Sequence, residues 1–266
     1  MIKGQWLLLE RTEHVLPELY QLGEDPDPIQ LFDGTELEAC SEQSPLLISA
    51  WENPKLLAAV QREPADWPGL LLESASSIGD LLAHLRHILF VRFDAQRRGV
   101  LRYSSPRTAS YFFPACNKEA LSIWLGPIDR VSWYGGIWRE KAEGAEDWHS
   151  VEHQLVSVWR SSSTAGELHL NPQQESALQQ QQGEHFLFQW WKQQPQVPFV
   201  TAWNYLREGM QAGFVSAESL TVYLNLRTTY PHTTPPASLP IGSDKERLDS
   251  LAQQLAACTN DKESTA

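Results

Sequence analysis

Between Trp67 and Trp133 the chain sets one amphipathic run among short apolar runs, a rhythm that a sheet with a helix packed on it satisfies. Gly69 to Leu72 is apolar, too short for a helix, and bounded by Pro68 and Ser74. Ser77 then opens a helix in the form of a capping box with Asp80. Ile78, Leu81, Leu82, Leu85 and Leu89 follow on one helix face. Ile88 to Phe93 predicts a strand, and Gly99 to Tyr103 its antiparallel partner across a turn at Asp94 to Arg98. Nothing in this stretch assembles a reaction centre.

The pattern around it extends the expectation. Trp6 to Leu9, Leu46 to Ile48 and Ile128 to Trp133 predict strands, with a late strand over Val151 to Arg160. Val15 to Leu22, Pro54 to Arg62, Arg107 to Phe113 and Lys118 to Leu125 predict helices, and Gly135 to Gly144 a loop. After Pro172 the character is helical, with runs over Pro172 to Gln194, Thr201 to Gln211 and Ser216 to Thr228 and a last helix opened by Ser243 to Glu246. Gly213 stops one of these helices and Phe214 packs back. The fold class expected is α+β. A mixed α/β lobe over 1–160, a small sheet flanked by helices, precedes a mainly α-helical lobe over 167–258 and a disordered tail over 259–266. Ser161 to Gly166 is the linker candidate.

Charge is segregated. Between Glu10 and Glu42 ten acids face one base, and between Arg86 and Arg107 six arginines face one acid. The blocks either pair internally or create opposed surface fields. The overall charge of −12 argues against nucleic acid as a partner, which needs a net basic face. No apolar run reaches the ~18–20 residues of a membrane helix, and the N-terminus lacks the pattern of a signal peptide, so a cytoplasmic protein is expected. Three isolated cysteines suggest neither a disulfide framework nor a thiolate metal site.

Leu31 to Thr35 (LFDGT), LLLES at 70–74, LLAHLRHILFVR at 81–92, LRYSSPR at 101–107 and LGPID at 125–129 occur in order. This ordered set resembles the type VI secretion effector adaptor (chaperone) family, first described only as a domain of unknown function. The likeness is strong over the first half and fainter beyond, where Ala212 to Phe214 and the helix after it resemble that family's helical lobe. One departure is Ser105, where the family usually has an acid before the Pro-Arg pair; it puts a local salt bridge at Arg107 in doubt. The resemblance implies a non-enzymatic cytosolic adaptor that binds a type VI effector, near its N-terminal region, and loads it on the VgrG spike. No cofactor, metal, membrane or nucleic acid is implied.

Individual residues carry more specific expectations. Trp190, Trp191, Trp203 and Tyr223 are the candidate partner anchors, whichever of them is exposed. Glu73 ends a strand expected to be buried and calls for an arginine, Arg86 or Arg102. His84 and His87, with Asp80, occupy the helix face opposite the apolar stripe and are expected in solvent. His149, Glu152 and His153 spell HxxEH, which is metal chemistry only on a helix; here the string alternates like a strand, with Glu152 on the other face. No nucleophile, base and oxyanion set is assembled. A zinc-dependent hydrolase using those three residues and an immunity-type inhibitor remain the alternatives.

Overall fold

The computed structural model describes residues 4–22, 26–93, 97–154, 166–236 and 238–263. The chain forms two compact units, 1–181 and 182–266. In chain order the first contains β1 (Gly4–Leu9), α1 (Val15–Leu22), β2 (Ile29–Gln30), β3 (Leu46–Ser49), α2 (Pro54–Arg62), β4 (Gly69–Ser74), α3 (Ile78–His87) and β5 (Phe90–Phe93). It continues with β6 (Arg97–Val100), α4 (Pro106–Phe112), α5 (Lys118–Leu125), β7 (Ile128–Gly135), α6 (Trp138–Glu143), β8 (Asp147–Glu152) and β9 (Leu168–His169). α7 (Pro172–Trp191) runs from the first unit into the second, which holds α8 (Phe199–Gln211), α9 (Ala217–Thr229) and α10 (Asp244–Glu263). The fold class is α+β, as the sequence predicts.

The main sheet is six-stranded, ordered β2-β3-β1-β4-β7-β8, and every pairing in it is antiparallel. β1 sits in the middle and is buried on both faces, which is why Leu7, Leu8 and Leu9 run without a polar interruption. Leu8, Leu47, Leu70, Leu72, Val131 and Trp133 turn toward α3, α4 and α5 and form the larger core. Leu7, Leu9, Leu46 and Ile48 turn the other way, against Val15 and Leu19 of α1 and Leu56, Ala59 and Val60 of α2. β7 instead alternates, with Ile128, Val131 and Trp133 buried and the residues between them only partly so. The α1/α2 side of the sheet is therefore covered over β3 and β1 but open over β7 and β8.

Local signals place the helices. Ser77 Oγ accepts from Asp80 N–H at 3.1 Å and donates to Asp80 Oδ2 at 2.7 Å, and Asn117 Oδ1 accepts from Ala120 N–H at 2.8 Å. A second sheet, β6-β5-β9, carries alternating charges: Glu36, Arg98, Glu167 and Arg92 form one chain of ion pairs, with Arg98–Glu36 at 2.5 Å and Arg98–Glu167 at 2.6 Å. The acidic and basic blocks of the sequence thus meet in part inside the unit, again at Arg102–Glu10 (3.6 Å).

In the second unit α8 and α9 pack at Gly209, where a side chain would press on Tyr223 and Leu220 at 3.0–3.2 Å. Gly213 takes φ +88, Phe214 N–H returns to the Gly209 carbonyl at 3.1 Å, and the Phe214 ring is buried. Arg227 is buried over the Tyr205 ring, holds Glu208 at 2.9 Å and donates to the Tyr230 and Thr233 carbonyls, fixing the chain that leaves α9.

Several expectations need correction. The first unit does not end near 160 but reaches Gln181, because β9 pairs in parallel with β5 and Leu168, Leu170 and Leu178 pack on the larger core. Of the linker candidate Ser161 to Gly166, residues 161–165 lie outside the described residues, as does 155–160 of the late strand, whose observed counterpart β8 starts at Asp147. Within Gly135 to Gly144 the chain is not all loop: Glu140 Oε2 accepts from Ile137 N–H at 2.7 Å and starts α6, which Gly144 ends at φ +67. β6 begins at Arg97, not Gly99, leaving Leu101 and Tyr103 free to enter the core. α10 continues to Glu263, since Thr259 to Glu263 holds neither glycine nor proline to stop it.

Candidate functional site

The segments that occur in order along the first half meet around α3 and the β4–β7 junction. Arg86 of α3 donates to the Leu31 and Gln30 carbonyls at 3.1 and 3.3 Å, and Tyr103 Oη donates to the Leu85 carbonyl at 2.7 Å. Ser74 Oγ donates to the Pro127 carbonyl at 2.7 Å, and Asp129 Oδ2 accepts from Ala75 N–H at 3.1 Å. Arg107 donates to the Gly136 and Ile137 carbonyls and to Glu146 Oε1 at 2.6 Å, with its guanidinium over the Trp138 ring. The carboxylate partner of Arg107 is supplied from 39 residues away, so the departure at Ser105 leaves it paired. Ser105 instead sits by Glu10, whose carboxyl burial pushes up while Arg102 and the Ser105 hydroxyl pull it down. These side chains tie separate stretches of the first unit together through backbone carbonyls, amides and charged partners.

Two histidines belong to the same junction. His84 is buried, not solvated, because α3 is covered on this side by the end of α5: its Nε2 donates to the Trp124 carbonyl at 2.9 Å and its ring lies against Gly126, which has φ +53. Burial lowers its pKa to about 4, against the opposing pull of that carbonyl. His153 Nε2 pairs with Ser122 Oγ at 2.8 Å, and burial also lowers its pKa. This Ser–His contact lines a concavity of about 310 Å³ with Lys118, Leu121 and Glu152. Ser122 lies inside α5, however, where its own N–H belongs to the helix and cannot stabilise an oxyanion.

The HxxEH residues do not converge. β8 puts His149 on the core face, stacked on Trp133 with Nε2 at 3.1 Å from the Gly135 carbonyl, and Glu152 on the opposite face, 4.0 Å from Arg130. Among the described residues no three His, Cys, Asp or Glu side chains are placed to hold a metal ion. The expected Glu73 pair is also overturned. Leu70 and Leu72 take the core face of β4, so Glu73 points to the opposite side, half-buried and across from Arg130 and Gln5, while Arg86 works on the core side and Arg102 pairs with Glu10.

The four candidate anchors are mostly internal. Tyr223 is 2% exposed and Trp190 is buried with Nε1–H on Asn225 Oδ1 at 2.9 Å, so neither is an exposed anchor. Trp191 is half-buried between Phe188 and Phe199, and Trp203 is half-buried against Gly183. Trp203 shares an α8 stripe with exposed Val200 and Met210. Exposed aromatics that the sequence reasoning missed lie in the first unit: Trp51 at 79%, Tyr20 at 57% and Trp148 at 39%. Trp148 meets Tyr134 edge-on at 5.9 Å on the open side of β7 and β8. There it borders a concavity of about 470 Å³ with Glu73, Arg130, Ser132 and Ser150. The alternation of Ser132 and Ser150 with Val131 and Val151 was the available signal for that open face.

Residues 6–122 match the family model described as a domain of unknown function (DUF4123). The match runs from β1 into α5, under half of the 266 residues, and β7, β8 and the whole second unit lie beyond it. No curated protein and no solved structure matches the chain. Among the described residues no helix is long and apolar enough to cross a membrane.

Proposed function

We propose that this chain is a non-catalytic adaptor that binds a type VI secretion effector, near its N-terminal region, and brings it to the VgrG spike from the cytosol. The observation that carries the reading is the ordered set LFDGT, LLLES, LLAHLRHILFVR, LRYSSPR and LGPID, all but the last inside the matched span. Two features support it. The polar members of that set, Ser74, Arg86, Tyr103, Arg107 and Asp129, hold backbone and charge partners within the fold. Trp51, Tyr20 and Trp148 stand exposed on the first unit, and large aromatics are the side chains that most often anchor a protein partner.

The test is co-expression of the chain with a candidate type VI toxin and a VgrG spike protein from the same cells. The expected result is a toxin that co-purifies with the chain, stays catalytically competent in the complex, and reaches the spike only when the chain is present. A toxin that is bound and silenced would instead identify an immunity-type inhibitor.

A further inference from the structure

β8 ends the six-stranded sheet, and among the described residues no strand pairs with its outer side. The direction of its backbone groups follows from one bond. His153 N–H donates to the Asp129 carbonyl at 2.8 Å, in the same register as the pairs Val131↔Val151 and Trp133↔His149. Bonded and non-bonded pairs alternate in an antiparallel ladder, so His149, Val151 and His153 turn their N–H and C=O groups toward β7. Trp148, Ser150 and Glu152 turn theirs outward. One outward donor is already met, Trp148 N–H by the Asp147 carboxylate at 2.7 Å. The N–H and C=O of Ser150 and Glu152 and the C=O of Trp148 remain in a row.

Edge strands are usually blunted by proline, lysine or a bulge. β8 has none of these: its sequence is DWHSVE and its register against β7 is unbroken over six pairs. Both flanks offer room for alternate side chains of an added strand. On the α5 side is the concavity with Leu121 and His153, and on the open side the one with Trp148 and Ser150. The strand carries an acid at each end, Asp147 and Glu152. A second copy pairing antiparallel on this edge would bring no lysine or arginine to meet either acid, because the strand DWHSVE holds none. The charges favour a foreign segment with basic ends.

We propose that the outer edge of β8 accepts an extended segment of a protein partner as a seventh, antiparallel strand, with small apolar side chains on the α5 side and a lysine or arginine at each end. The proposal rests on the adaptor reading only for the class of partner, an effector segment; the edge itself is independent of it.

The probe is a fluorescently labelled, end-blocked peptide Lys-Val-Thr-Val-Thr-Lys, which places lysines opposite Glu152 and Asp147 and valines opposite Val151 and His149. It is titrated into the full chain and followed by anisotropy, beside amide hydrogen exchange of the free and bound chain. Ser150→Pro removes only an outward N–H and keeps the β7 ladder, whereas Ser150→Ala keeps the outward N–H. Expected are saturable binding at up to millimolar peptide, loss of about tenfold or more in affinity with Ser150→Pro, and near-unchanged binding with Ser150→Ala. A peptide N-methylated at the threonine opposite Ser150 removes the reciprocal bond, from the threonine N–H to the Ser150 carbonyl, on the unaltered protein, and its binding should fall as far. In the free chain, Ser150 and Glu152 amides should exchange fast and Val151 and His153 slowly, with the peptide slowing the first pair. No saturable binding, equal binding of the methylated peptide, or slow Ser150 and Glu152 exchange in the free chain would each overturn the proposal. An effector that binds Ser150→Pro as well as the parent protein overturns the edge and leaves the adaptor reading standing; an edge that binds the peptide while no effector binds the chain does the reverse.

Discussion

His84 shows how one side chain sets a pH dependence for the whole first unit. Its imidazole is neutral in the fold because burial against Trp124 and Gly126 holds its pKa near 4, whereas the unfolded chain titrates at an ordinary histidine value. Between those two values the unfolded state binds more protons, so stability is fully present above about pH 6.5 and drains away as pH falls toward 4. The loss amounts to about 3 kcal/mol at the acid end. His84→Gln, which keeps a donor for the Trp124 carbonyl, should flatten the slope of unfolding free energy against pH in that window; denaturant titrations at a series of pH values read it directly, and an unchanged slope contradicts the assignment. Arg107 is the second residue with a large expected effect. Arg107→Ala leaves Glu146 and two carbonyls without their donor and should cost about 3–5 kcal/mol, and Arg107→Lys should recover only part because a single ammonium cannot span three acceptors. Glu73→Ala, by contrast, should change stability by about 0.5 kcal/mol or less, since the side chain stands half-buried on the open side of the sheet with no bonded partner among the described residues.

At the scale of elements, β8 and the α8–α9 pair make the sharpest contrasts. Val151→Pro removes a donor that the ladder uses and should destabilise the unit by about 3 kcal/mol or more, while Ser150→Pro should leave its melting temperature near that of the parent protein. Equal effects of the two would mean that the alternation is misassigned. Gly209→Leu should force α8 from α9, because a side chain there meets Tyr223 and Leu220 at once; about 1–3 kcal/mol is expected, visible in denaturant midpoints. The helices were largely legible in the sequence because their signals are local. Ser77, Asn117 and Ser216 each cap an amide three residues on, and Gly213 and Phe214 close α8 within five residues. What depends on distant pairing was not legible. β2 and β9 are two residues each and exist only because β3 and β5 are beside them. The face taken by Glu73 is set by which side α3 covers, and the burial of Trp190 and Tyr223 is set by neighbours on other helices, while Trp51, a lone aromatic beside a turn, carries no periodic signal at all.

At the scale of the molecule, 33 acids against 21 bases leave a net charge of −12, which the ion pairs of Arg98, Arg92 and Arg102 within the first unit do not alter. Such a field would speed the approach of the basic segment proposed for β8 and supply little of the holding energy. Holding energy must come from buried apolar anchors and backbone pairing, and the first unit offers both kinds of surface, in Trp51 and Trp148 and along β8. Truncation has to respect α7: a chain ending at Gln181 keeps both sheets but severs that helix, so a shortened chain meant to fold as the first unit has to retain it through Trp191. The most direct measurement of the central claim is delivery. In cells lacking this chain, the cognate toxin should no longer co-precipitate with VgrG or appear outside the cell, while VgrG itself is still secreted, and the intact chain supplied in trans should restore the toxin. A toxin that reaches the spike and leaves the cell as well without this chain as with it would contradict the adaptor account.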